Sequence, residues 1–157
     1  MSSQPLAATG TAMDYEDSIA AARAKQDELV VLNTARDELL VILTNDGEVP
    51  RLRSKFVVEG QSVSATCFDY KAIAEPRLVC IKEGELAIEY AFFVSTLPNK
   101  CVWSFVVLSD KNVSFVPSTG FLEGSVRIGV DAPSLSEILM LQLHGAVLGH
   151  ALVSQSG

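Results

Sequence analysis

The sequence has few of the residues that enzymes and metal sites commonly use. Its 157 residues include three cysteines and two histidines. Cys67, Cys80 and Cys101 match no zinc or redox spacing, and an odd number of cysteines favours reduced thiols buried in the core. The phosphate-binding motifs GxGxxG and GxxxxGKS/T and the nucleophile motif GxSxG are absent. The sequence therefore predicts no cofactor, and it favours a protein that is not an enzyme.

The two histidines do not form a metal-binding pair. His144 and His150 are six residues apart in a predicted helix, so their side chains diverge by roughly 120°. A pair four residues apart could chelate one ion, but this pair cannot readily do so. We interpret both histidines as structural, and the sequence predicts no metal site.

No apolar run is long enough to span a membrane. The longest, Ile138–Val153, is shorter than the ~20 residues that a transmembrane helix needs, and it contains both histidines. Residues 1–10 lack the basic and apolar regions of a signal peptide. The sequence predicts a cytoplasmic protein with no membrane partner.

Positive charge is scarce, with 12 basic residues against 19 acidic ones and a net charge of −7. This balance argues against non-specific binding to nucleic acid or to anionic membranes. One basic strip stands out, because Arg51, Arg53 and Lys55 would share a face if Val49–Val58 were a strand. The strip could bind an anion or an acidic partner. It could equally be a solvated sheet face or a counter-charge for the acidic N-terminal helix.

What the sequence does contain is enough apolar side chain for one packed domain, since 48% of its residues are hydrophobic. We predict a flexible tail over residues 1–13 and a single α+β domain over residues 14–157. Residues 38–130 are predicted to be mostly β, as an antiparallel meander of five to seven strands. The predicted turns are Glu59-Gly60, Glu83-Gly84, Pro98-Asn99, Asp110-Lys111-Asn112 and Ser118-Thr119-Gly120.

An amphipathic helical arm is predicted over residues 14–33. Acidic residues in its first turn favour a helix start, and a thin apolar stripe suits docking on a neighbouring surface. Residues 37–44 are ambiguous, because they could extend this helix or form a buried strand before the turn at Asn45-Asp46-Gly47. The short apolar run followed by a turn favours the strand. The stripe consists of Tyr15, Ile19, Ala22, Leu29 and Leu32.

A second helix is predicted over residues 134–153 and is expected to pack on the sheet. Ser134 and Glu137 have the spacing of a capping box at its start. The helix is apolar around its whole circumference, so it must be covered on more than one side. A domain of this size can do that alone only to a limited extent, which favours self-association through this helix.

Two glycines in that helix add to the expectation of close packing. Gly145 and Gly149 are four residues apart and form a notch on one face. The notch could receive a strand or an aromatic ring of the same chain, or a helix of a second copy. The residues predicted to form the interface between copies are Leu139, Leu143, Gly145, Leu148, Gly149 and Leu152.

These patterns favour a non-enzymatic module that binds protein and associates with itself, such as a small acidic adaptor or a chaperone-like homo-oligomer. Its expected partner is a second copy, with another protein as an open alternative. One alternative function is a shell subunit of a virion that contacts nucleic acid through the basic strip. Another is a small-ligand binder or enzyme with a pocket near Cys67, Cys80 or His144.

Overall fold

The computed structural model describes residues 14–95, 97–116, 124–129 and 132–156, so the predicted tail over residues 1–13 lies outside it. Helix α1 spans Tyr15–Asn45. It begins at Asp14, whose carboxylate accepts a hydrogen bond of 2.8 Å from the backbone N–H of Asp17. A short polar side chain at this position satisfies an N–H group that the helix itself leaves unpaired.

The strand interpretation of residues 37–44 is wrong, because α1 continues through them to Asn45. Leu32, Leu39 and Leu43 recur at helical spacing, and all three are buried in the core. The helical period of 3.6 residues therefore determines the structure of this segment. The turn residues Asn45-Asp46-Gly47 end the helix and do not join two strands. At Gly47 a Cβ atom would overlap the carbonyl oxygen of Leu43, so the reversal after α1 requires glycine.

The prediction of an antiparallel meander is confirmed, with eight strands in sequence order among the described residues rather than the five to seven predicted. Each strand pairs with its neighbour in the chain, and the sheet curls into a half-barrel. The strands are β1 (Glu48–Val49), β2 (Ser54–Glu59), β3 (Ser62–Cys67), β4 (Tyr70–Cys80), β5 (Leu86–Val94), β6 (Leu97–Leu108), β7 (Asn112–Phe115) and β8 (Ser125–Arg127).

Most of the predicted turns separate strands, but one does not. Glu59-Gly60 joins β2 to β3, whereas Pro98-Asn99 lies inside β6. The register between β5 and β6 shifts there, with Phe93 opposite Cys101 and the next residue opposite Leu97. The extra residues form a bulge, which accommodates a proline that a regular ladder would not. The predicted turn at Ser118-Thr119-Gly120 lies outside the described residues.

The core lies on one face of the curled sheet and is rich in aromatic rings. Tyr90 stacks on Phe105 at a centroid distance of 5.3 Å, and Phe92 stacks on Trp103 at 5.7 Å. These four side chains are buried and alternate with outward-facing residues along β5 and β6. Helix α1 packs against β2, β5 and β6 over this face. The sheet therefore buries one face and leaves the other to solvent.

Helix α2 spans Ala132–Ser156 and completes the cover of the core. It packs against β1, β2, β3, β6 and α1, so its apolar circumference is covered on more than one side, as predicted. The capping-box prediction is wrong, because α2 begins before Ser134 and places that residue within the helix. The carboxylate of Glu137 instead pairs with Arg51.

Candidate functional site

The predicted interface residues of α2 divide into two groups. Leu139 and Leu143 are 0% exposed within the single chain, so a second copy cannot contact them in this fold. Leu148 is 44% exposed, Gly149 is exposed and Gly145 is half-buried. Leu152 lies in α2, outside the part of the chain whose side chains are described. Because the chain itself covers most of α2, the apolar character of this helix no longer requires a partner.

The notch at Gly149 is open. A Cβ atom added there would meet no other atom within 4 Å, so none of the described strands or rings packs closely against it. The expectation of close intramolecular packing is therefore wrong at Gly149. Gly145 and Gly149 line a shallow depression of about 620 Å³ together with Trp103, Val116 and His150.

The basic strip does not lie on a strand. Pro50–Leu52 forms a 3-10 turn, and Arg53 adopts the left-handed conformation with φ 54°. Pro50 cannot donate a ladder hydrogen bond, which accounts for the interruption before β2. Lys55 alone of the three basic residues lies within β2. The turn nevertheless brings all three side chains to one cleft, where Lys71 of β4 joins them.

This basic cleft has a volume of about 960 Å³ and lies where the turn after β1 and strands β2 and β3 meet α2. Its lining is mixed, with four basic residues, three carboxylates and several apolar side chains. One of the four basic residues, Arg51, pairs with Glu137 of α2, so the other three are matched in number by the three carboxylates. The lining residues used below are Arg51, Arg53, Lys55, Lys71, Glu48, Glu59, Asp69, Leu52, Val57, Phe68, Ser54 and His144.

Arg51 is committed to a structural ion pair. Its Nε and one terminal nitrogen each donate a hydrogen bond of 2.7 Å to the carboxylate of Glu137 on α2. This pairing raises the pKa of Arg51 and lowers the pKa of Glu137. By contrast, Arg53, Lys55 and Lys71 are exposed and form no ion pair with any described residue. These three cations are available to a ligand or partner.

The turn from β3 to β4 places an aromatic ring at the cleft in an unusual way. Phe68 and Asp69 both have positive φ angles, 52° and 68°. Two-residue hairpin turns of this kind favour Asn-Gly, and a bulky residue there costs roughly 1–3 kcal/mol. Phe68 is 52% exposed, and the centroid of its ring lies 4.9 Å from the centroid of the His144 ring. Sequence analysis missed this turn because it lacks glycine and proline.

Strained backbone is concentrated at the cleft. Of the five non-glycine residues with positive φ in the described part of the chain, Arg53, Phe68 and Asp69 line it. Such conformations persist where the surrounding structure enforces them, and they cluster at functional sites. The cleft is therefore the best candidate site for binding.

A serine and a histidine lie within hydrogen-bond distance of each other in the cleft. Ser54 Oγ lies 3.0 Å from His144 Nε2 and donates toward the carbonyl oxygens of Thr66, at 2.9 Å, and Leu52, at 3.2 Å. A hydroxyl has one proton, so Ser54 donates to one of these three acceptors at a time, and the tautomer of His144 sets whether Nε2 accepts from Oγ or donates to it. Burial lowers the pKa of His144, which favours the neutral ring. The arrangement positions the His144 ring beside the Ser54 hydroxyl.

The prediction that all three cysteines lie in the core holds only for Cys67. Cys67 is buried, and desolvation raises its pKa to about 12, so its thiol stays protonated. Cys80 and Cys101 are exposed, and all three thiols are free. Within the described residues, no group of three or more His, Cys, Asp or Glu side chains could hold a metal ion.

A second candidate surface is the first third of α1. The sequence predicted an arm over residues 14–33, and from here on the arm means residues 14–24 only. Every one of them is exposed, and Tyr15 is 75% exposed. Just beyond the arm, Lys25 Nζ donates a hydrogen bond of 2.6 Å to the carbonyl of Gly84, in the turn between β4 and β5. Nearby, the carboxylate of Glu28 accepts from the N–H of Leu86 at 2.9 Å, and this bond contributes most to lowering its pKa.

Comparison with known proteins gives no assignment. No family model matches the chain, and no curated protein or solved structure is detectably similar to it. Among the helices that the structure describes, none is both long and apolar enough to cross a membrane.

Proposed function

We propose that this chain is a non-enzymatic protein-binding module that associates with itself. The observation that carries the proposal is the arm, eleven helical or capping residues that project beyond the body of the domain with every position exposed. Isolated helices shorter than roughly 12–15 residues are marginal in water. An exposed helical arm with Tyr15 and Ile19 on its surface is therefore best explained as a segment that a partner covers.

The chemistry of the cleft supports binding rather than catalysis. The Ser54 hydroxyl lies beside two carbonyl acceptors, and the His144 ring is held by Ser54 and Phe68. The buried thiol of Cys67 stays protonated near neutral pH because its pKa is about 12. A cysteine nucleophile requires a base or a lowered pKa, and the raised pKa of Cys67 is the opposite of this. Exposed charges of both signs beside an exposed ring suit the recognition of a segment with polar and apolar side chains.

The absolute mass of the purified protein tests this proposal. We expect size exclusion with light scattering to give a discrete oligomer, most simply a dimer of twice 16.9 kDa, over a tenfold range of concentration. A monomer at every concentration up to the millimolar range would contradict self-association. A particle of megadalton mass would replace the adaptor with the shell-subunit alternative, and bound nucleic acid would then be the next measurement.

A further inference from the structure

We propose that His144 is a pH-sensitive clamp, which holds the β3–β4 turn against α2 while its ring is neutral and releases the turn when the ring takes up a proton. The turn consists of Phe68 and Asp69, between β3 and β4. The clamp acts within one chain and does not depend on self-association, so a monomeric protein would leave it intact. Its support comes from the contacts of the ring, from the charges around it and from the backbone of the turn.

The His144 ring connects three parts of the fold. It belongs to α2, and its centroid lies 4.9 Å from the centroid of the Phe68 ring in the β3–β4 turn. Its Nε2 atom lies 3.0 Å from Ser54 Oγ at the start of β2. Ser54 Oγ in turn lies 2.9 Å from the carbonyl oxygen of Thr66, two residues before the turn. A displacement of the ring therefore loosens the turn as well as the contact with β2.

The surroundings of the ring favour its neutral form. His144 is 8% exposed, and among the described residues no carboxylate forms an ion pair with it. Arg51 of the cleft pairs with Glu137 of α2, and the remaining three bases of the cleft are matched in number by three carboxylates. Burial therefore dominates and lowers the pKa of His144 below the ordinary histidine value of about 6.5. The remaining charged groups are Glu48 of β1, Arg53 of the 3-10 turn, Lys55 and Glu59 of β2, Asp69 of the β3–β4 turn and Lys71 of β4, and α2 also carries His150.

The turn stores strain that release of the clamp would relieve. Phe68 and Asp69 both have positive φ angles, which non-glycine residues keep only where the surrounding structure enforces them. The ring contact between Phe68 and His144 is one such restraint. Because His144 lines an open cleft, a protonated ring can rotate into solvent, where its charge is hydrated, while α2 stays helical. Proton uptake thus favours the second of two arrangements of the turn, as in other switches based on histidine.

The test follows the ring and the turn by NMR over one titration, from about pH 7.5 to about pH 5. We expect the His144 ring to take up its proton with a midpoint below the ordinary histidine value of about 6.5. A titrating ring shifts neighbouring signals even without movement, so release is measured by hydrogen exchange at Cys67 and Tyr70, the backbone pair that closes the turn. After correction for the intrinsic effect of pH, their protection should fall about tenfold with the same midpoint as the ring.

Two glutamine variants separate His144 from other groups that respond to pH. His144→Gln keeps a polar side chain that cannot become charged, so protection of the closing pair should stay constant over the titration. His150→Gln is the matched control, because it removes the other histidine of the chain, which lines the depression at Gly149 and not the cleft. This control should respond like the wild type.

Thermal melting gives a second measurement. The pKa of His144 is lowered in the folded state, so its contribution to stability is complete above the unfolded pKa of about 6.5 and is lost as the pH falls through the lowered value. The melting temperature of the wild type should therefore fall relative to that of His144→Gln in this range. If His144→Gln does not fold, the wild type decides alone, since the closing pair and the ring must share one midpoint.

Four results would overturn the inference. The closing pair could keep its protection although His144 takes up its proton, or it could lose protection equally in His144→Gln. The ring could stay neutral throughout the titration. A midpoint at or above the ordinary histidine value would mean that the Phe68 ring stabilises the charged form, which is the opposite of a clamp that acid releases.

Discussion

The two helices of this protein differ in apolar content, and the more apolar helix is the one that the chain itself covers better. Helix α2 is apolar nearly all round, yet the chain itself covers most of it, with Leu139, Met140 and Leu143 completely buried. Helix α1 has a much thinner apolar stripe, yet its first eleven or so positions project from the domain. The helix whose sequence predicted a partner is covered by its own chain.

The difference shows that apolar content determines how much of a helix must be covered, but not what covers it. A sheet that curls around α2 supplies contacts on several sides, which a flat sheet would not. The arm lies beyond the edge of that sheet, past the contacts of Lys25 and Glu28. Position relative to the sheet, rather than composition, decides which helix is left exposed.

The strongest test of the contrast compares two leucines of α2. Leu139→Ala removes a completely buried side chain and should lower the free energy of unfolding by about 2–5 kcal/mol. Leu148→Ala affects a residue that is 44% exposed, and it should change the free energy of unfolding by less than about 1 kcal/mol. Urea denaturation at one fixed protein concentration measures both. Equal losses at the two positions would mean that α2 is covered differently from this description.

The two parts of α1 can be compared by hydrogen exchange. In dilute protein we expect amides of the arm to exchange about 100-fold faster than those near Leu39, because local opening of an unsupported helix end costs little. In concentrated protein the arm should become protected if a second copy covers it, while the amides near Leu39 should not change. Slow exchange of the arm at every concentration would show that it is supported within the single chain.

A glycine substitution sharpens the description of α2. Gly149→Ala should raise the free energy of unfolding by up to about 1 kcal/mol, because alanine favours helix and the new methyl group meets nothing within 4 Å. The matched control is Gly47→Ala, which should be destabilising because its Cβ atom would overlap the carbonyl of Leu43. Thermal melting measures both. Loss of stability in the Gly149 variant would reveal close packing at the notch.

The smallest expected effect concerns the ion pair that ties α2 to the turn after β1. Hydrogen bonds from Arg51 lower the pKa of Glu137, so the pair stabilises the fold fully above the ordinary glutamate pKa of about 4.3. This contribution is lost as the pH falls through the lowered pKa. The difference in melting temperature between wild type and Glu137→Gln should therefore narrow at acid pH. A difference that stays constant to pH 3 would contradict the pairing.

Sequence patterns predicted the fold class and the meander because alternation and turn residues act locally. They failed at residues 37–44, where a turn signal after an apolar run outweighed a helical period that continues through Leu39 and Leu43. They also failed at Phe68, since a left-handed phenylalanine has no local signature. The basic strip was predicted for the wrong reason, because a 3-10 turn rather than a strand brings Arg51, Arg53 and Lys55 to the cleft.

The order of the strands has a consequence for synthesis of the chain on the ribosome. Each strand pairs with the one made just before it, so the sheet can assemble stepwise as it emerges. Helix α1 covers part of the aromatic face and is made before the sheet, whereas α2 covers the rest and is made after all the described strands. Until α2 has left the exit tunnel, the part of the nascent sheet near Trp103 therefore stays exposed to solvent. Transiently exposed apolar surface of this kind favours aggregation, so the last helix to be made also protects the finished sheet from it.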